Sequence, residues 1–160
     1  MTRDPDDIRA WQRLSDRITT SGRLREHDPA RLAAIGVRHV INLAMADHPE
    51  ALPDAERAFA AQGIGYTNIP VPFAAPEEPH YQAFAEALES ADGPVHVHCI
   101  MNWRVSAFCY RYNRDVRGMP EPEARALMER QWSPETNEHE DAPAWAAFIL
   151  RQAQDRPEEQ

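Results

Sequence analysis

The residues of this chain best suited to chemistry lie in the segment 95–108, VHVHCIMNWRVSAF. An apolar, β-like run ends at His98, Cys99 opens a short loop, and a helical period begins near Arg104. A helix N-terminus offers unpaired N–H groups and a partial positive charge, and the two together bind anions. The same field favours thiolate over thiol, and the thiolate is the nucleophile. Arg104 carries a planar fork that matches two phosphate oxygens. A phosphoryl ester cradled by Ile100, Met101, Asn102, Trp103, Arg104 and Val105 would meet Cys99 from below and N–H donors around its equatorial oxygens.

Neighbouring residues fit that chemistry. His98 is placed to order the loop or to help keep the thiolate ionised. Ser106 has a hydroxyl for the thiolate, or for its departure from a phosphocysteine. Asn102 falls where the loop must turn sharply, and Asn tolerates left-handed backbone better than most residues. Each has a plainer reading. A cysteine after a buried strand is often a small core hydrophobe, which is how Cys109 reads; an arginine is often a surface ion-pair partner, and Ser106 an ordinary helix-start residue. His96 and His98 alternate along the run and share a face with Cys99 nearby, yet no further ligand stands at recognisable spacing. No metal is expected, and His96 reads as a sheet histidine. Asp47 and His48 are lesser candidates.

The elements that must position this loop follow from periodicity. β-like runs are expected at Arg17–Ser21, His39–Leu43, Tyr66–Val71 and Val95–His98. Asp28-Pro29 signals a helix start with Asp28 as N-cap, and Gly36 a stop. Further helices are expected over Pro53–Gln62, Glu78–Ser90, from the loop to Gly118, Glu121–Gln131 and Ala142–Gln154. Strands alternating with helices predict an α/β fold, a central sheet of four or five strands with helices on both faces. One domain is expected over 1–160, with its core at about 8–152 and a frayed tail at 155–160.

The net charge of −9, with all 17 basic residues Arg, disfavours nucleic acid or acidic membrane as a partner. No apolar run reaches the ~18–20 residues of a membrane helix, and the start, MTRDPDDIRAWQRL, is charged throughout. A cytoplasmic protein is expected, and the sequence leaves its oligomeric state open. Two cysteines are weak grounds for a disulfide.

In sequence order, LSDRITTSG, VRHVINLA, YTNIPV, VHVHCIMNWRVSAF and a W…P…W…FI pattern (Trp132, Pro134, Trp145, Phe148, Ile149) resemble the cysteine-based tyrosine and dual-specificity phosphatases. More closely, they resemble small bacterial tyrosine-phosphatase-like proteins, over about Ile8 to Ile149. The resemblance implies a dual-specificity-phosphatase-like fold, a phosphorylated substrate, protein or small molecule, and no cofactor. It also marks two departures. The larger superfamily spaces Cys and Arg by five residues including a glycine, whereas Ile100-Met101-Asn102-Trp103 supplies four and none. Relatives often carry an acid after the strand matching Tyr66–Val71, where this chain has Pro72; Glu77 and Glu78, on a nearby loop, are the candidates to replace it as general acid, although glutamates at a helix start are more commonly just solvated. Two rivals stay open: a rhodanese-like sulfurtransferase carrying a persulfide on Cys99, and a phosphate-binding pseudophosphatase.

Overall fold

The structure, a computed structural model, describes residues 3–152, so the expected tail at 155–160 and the helix end at Gln154 lie outside the described residues. The elements run β1 (Gln12–Arg13), β2 (Ile18–Ser21), α1 (Asp28–Ala34), β3 (His39–Asn42), α2 (Ala55–Ala60), β4 (Gly65–Asn68), α3 (Glu78–Ser90), β5 (Val95–His98), α4 (Trp103–Asp115), α5 (Glu121–Glu129) and α6 (Ala142–Leu150). The five strands pair in the order β1-β2-β5-β3-β4, parallel throughout except for β1. β5, which feeds the cysteine loop, lies at the centre between β2 and β3.

Helices cover both faces because alternate strand residues point to opposite sides. Ile41, Val95 and Val97 pack into a large core with Tyr81, Phe84 and Leu88 of α3, Phe108 of α4, and Trp145 and Phe148 of α6. Val40 turns the other way, into a smaller core with Leu32 of α1 and Phe59 of α2. α4 is almost wholly buried between its neighbours, which fixes the helix end that faces the loop.

Three differences from the expected elements have local causes. β1 was not anticipated: two residues carry no periodicity, and the strand exists through its pairing with Thr19 and Thr20. β4 ends at Asn68 where Val71 was expected: the Ile69 N–H still meets the Asn42 carbonyl at 2.8 Å, but the Val71 N–H meets that of Leu43 at 3.0 Å, one residue out of register. Asp28 is not the N-cap but the first helical residue after His27. Its carboxylate accepts the Arg25 N–H at 2.7 Å and pairs with Arg31 at 3.0 Å. Among the described residues no helix is long and apolar enough to cross a membrane.

Candidate active site

The loop between β5 and α4 is held from outside. Cys99 N–H reaches the Ser21 carbonyl at 3.4 Å, and the Ile100 carbonyl accepts Arg23 N–H at 3.0 Å and Arg9 Nη1 at 3.3 Å. The Ile100–Met101 peptide is trans, so an Ile100 carbonyl turned outward sets the Met101 N–H on the opposite side. Gly22 permits this approach, because a Cβ there would stand 2.4 Å from the Ile100 oxygen. Asn102 makes the turn with φ 68° and ψ 8°, the left-handed conformation expected of it. Its side chain points away from the loop's hollow, donating to the Ala10 carbonyl at 2.9 Å and to Thr20 Oγ1 at 3.1 Å. The first bond of α4 runs from Ser106 N–H to the Asn102 carbonyl, 3.0 Å. The N–H groups of Trp103, Arg104 and Val105 therefore have no carbonyl within the helix.

Above this helix end is a pocket of about 390 Å³ lined by Cys99, Ile100, Met101, Trp103 and Arg104 from the loop and helix start. Its walls are completed by Met45, His48, Phe73 and His139. Cys99 is buried at 1% exposure and lines this pocket. Arg104, also buried, donates through Nη1 to the Val71 carbonyl at 2.8 Å and lies over the Phe73 ring. Two tryptophans brace the wall by their indole N–H groups: Trp132 donates to the Trp103 carbonyl at 3.0 Å and Trp145 to that of Phe73 at 2.7 Å. Trp103 and Trp132 also stack with centroids 4.8 Å apart.

The two strand histidines are buried and neutral. Ser21 Oγ spends its proton on the Gly22 carbonyl, so at 2.8 Å it accepts from His96 Nε2, and Nδ1 accepts from Thr19 at 2.8 Å. Burial holds His96 well below its usual range and pushes His98 down to about 4. His98 thus cannot assist the thiolate as a cation; its Nδ1 lies 3.4 Å from the Cys99 carbonyl, a contact that orders the loop. Both His96 nitrogens are thus occupied, and among the described residues no group of three or more His, Cys, Asp or Glu is gathered as a metal ion would need.

Other expected residues fall elsewhere. Ser106 donates to the Trp103 carbonyl at 3.1 Å and lines a separate small cavity with Gln12 and Cys109. Glu77 is the exposed N-cap of α3, in a reciprocal capping box with His80. Glu78 holds the fully buried Arg111 through two bonds, 2.9 and 2.7 Å. Neither glutamate lines the pocket, and Asp47 does not either. Met45, Phe73 and His139 carried no sequence signal of their own, being single residues in loops; the W…W pattern was the nearest clue, since its tryptophans anchor that wall.

The five-stranded sheet, the helices on both faces and the cysteine loop at the mouth of β5 define a dual-specificity-phosphatase-like fold. Residues 10–110 match the family model for the phosphatase-like domain of beta-lactamase hydrolase-like protein, and the chain belongs to that family. It is similar to the solved structure of a candidate phosphatase from Shewanella putrefaciens CN-32, at 29% identity over 92% of this chain and 93% of that one, TM-score 0.79. It also resembles TpbA of P. aeruginosa, solved with pTyr, at 18% identity over 97% and 90%, TM-score 0.71. PTPMT1, solved with PI(5)P, shares the fold at 15% identity over 88% and 94%, TM-score 0.66. None of the curated proteins matches by sequence.

Proposed function

We propose that the chain is a cysteine-dependent phosphate monoester hydrolase acting on an aryl phosphate. The observation that carries this reading is the placing of Cys99 and Arg104 in one pocket at the N-terminus of α4, beneath walls of Phe73 and Trp103. The Cys99 thiolate attacks phosphorus; an S–P bond forms as the bond to the leaving oxygen breaks. Arg104, with the N–H groups of Met101 and of the start of α4, stabilises the equatorial oxygens. Water then attacks phosphorus, the S–P bond breaks and the sulfur leaves as thiolate. The aromatic wall suits a ring held beside the phosphate, and TpbA, which shares this fold, was solved with pTyr. Ser106 and His98 act here as positioning residues, on the Trp103 and Cys99 carbonyls.

A second reading has one observation in its favour. Pro72 stands where the family resemblance leads to the expectation of an acid, and among the described residues no carboxylate lines the pocket, as in a protein that binds phosphate without turnover. The test is hydrolysis of aryl phosphates, with vanadate binding and a thiosulfate–cyanide assay in parallel. Turnover that vanadate inhibits, and that is lost in Cys99→Ser, supports the hydrolase. Vanadate binding without turnover favours the pseudophosphatase, and thiocyanate production favours sulfur transfer.

A further inference from the structure

The pocket poses a chemical problem: it holds the proposed nucleophile and oxyanion clamp, but among the described residues neither Asp nor Glu to protonate a leaving group. Besides Cys99 and Arg104, its titratable side chains are two imidazoles, His48 and His139. They are not equivalent. His48 Nδ1 accepts Glu50 N–H at 2.9 Å, but the Glu50 carboxylate is bound by Arg9 at 2.9 Å and Arg23 at 3.3 Å. His139 Nδ1 accepts Asp141 N–H at 3.0 Å, and the Asp141 carboxylate Oδ2 lies 4.0 Å from the same nitrogen, with no arginine among the described residues paired to it. The His139 ring is set edge-on to Phe73, at 4.9 Å between centroids, and to Trp103, at 6.3 Å. Both rings belong to the pocket wall and are anchored by Trp145 and Trp132.

We propose that His139 is the general acid and base of this site, standing in for the carboxylic acid absent at Pro72; the proposal rests on the hydrolase reading above. The Asp141 N–H contact leaves the proton of neutral His139 on Nε2; in the working cycle Nδ1 carries a proton that turns from that contact to Asp141 Oδ2, 4.0 Å away, so that Nε2 alone gives and takes a proton. As Cys99 sulfur bonds to phosphorus, the proton on Nε2 passes to the departing ester oxygen, which leaves as the neutral alcohol or phenol, and His139 becomes neutral. In the second step Nε2 takes a proton from the attacking water, the S–P bond breaks to restore the thiolate, and inorganic phosphate departs with His139 protonated again. The charged or titratable groups near the imidazole include Glu138, Glu140 and Asp141 on its own loop, Cys99 and Arg104 at the pocket floor, and His48 across it.

The experiment uses aryl phosphates of graded leaving-group acidity, with kcat measured for the parent, His139→Asn and His48→Gln, with and without added imidazole. Asn keeps an acceptor near the Nδ1 position for Asp141 N–H and removes Nε2. The expected result is a shallow leaving-group dependence in the parent and a steep one in His139→Asn. The loss should reach ~10²–10⁴-fold for phenyl phosphate, stay slight for a dinitrophenyl ester, and be partly restored by imidazole. A merely structural role would instead lower all esters by one factor, and that outcome overturns the proposal. So does a loss carried by His48→Gln in place of His139→Asn. Turnover by the parent with His139→Asn unchanged overturns this inference alone. A parent that hydrolyses no ester in the series overturns the hydrolase reading and the inference with it.

Discussion

Arg104 Nη1 donates to the main-chain carbonyl of Val71 at 2.8 Å, so the proposed phosphate clamp is tied to the residue just before Pro72. One nitrogen of the guanidinium is spent on the stretch that follows β4, and in the proposed mechanism the others serve oxyanions. A lysine has a single ammonium and cannot hold that carbonyl and a bidentate anion in one plane. Arg104→Lys is therefore expected to weaken vanadate binding by roughly ten- to a hundredfold, the worth of one or two charge-assisted hydrogen bonds. Arg104→Ala should weaken it at least as much. Titration with vanadate measures both, and unchanged affinity in the pair would remove Arg104 from the site.

The two thiols should respond differently to alkylation. Cys109 sits in the core, where burial pushes its thiol up to about 12. Cys99 opens to the pocket at a helix N-terminus. Iodoacetamide near neutral pH should modify Cys99 first, and phosphate should slow it by filling the pocket. Peptide mass spectrometry locates the label, and equal labelling of the two cysteines would contradict this.

Glu78 offers a clean separation of stability from catalysis. Its carboxylate compensates the buried Arg111, which lies over the rings of Tyr81 and Phe148. Glu78→Gln leaves a buried cation short of its counter-charge and should cost about 3 kcal/mol of folding stability. Activity per folded molecule should persist, since Glu78 is outside the pocket. Urea unfolding together with kcat checks both halves, and a large fall in kcat at unchanged stability would restore Glu78 as an acid.

Acid should destabilise the fold through the strand histidines. His98 titrates near 4 in the native protein, against ~6.5 unfolded, and His96 is shifted in the same direction. Between these values the unfolded chain binds protons that the native state refuses. Their favourable contribution is thus complete above about pH 6.5 and is lost as pH falls toward 4. For His98 alone it amounts to roughly 3 kcal/mol. Urea midpoints at pH 7 and 4.5 should differ less in His98→Asn than in the parent; an equal difference would place the acid sensitivity elsewhere.

Much of this was legible in the sequence, for reasons tied to range. α3 and β5 have the bounds that periodicity predicts, because the spacing of Tyr81, Phe84 and Leu88 and the run from Val95 to His98 are local signals. The turn at Asn102 was legible from one residue's conformational tolerance. Glu77 and Glu78 lie close to Pro72 in sequence, but a cap at one and a buried arginine at the other decide where they point. The opposite wall comes from residues far apart in the chain. His139 meets Phe73 across 66 positions, and nothing in a lone histidine within SPETNEHEDAP announces that contact.

The bond from Asn102 Nδ2 to the Ala10 carbonyl has a consequence for synthesis on the ribosome. It ties the Cys99 loop to a segment made well before it, while His139 is added only after it. A site closed by such distant partners cannot be completed in a partly made chain, because the late residues must emerge before the pocket has its last wall. Until then Cys99 has a loop but no enclosure, and stalled or truncated products should carry a thiol open to oxidants that the finished fold keeps at the bottom of a pocket.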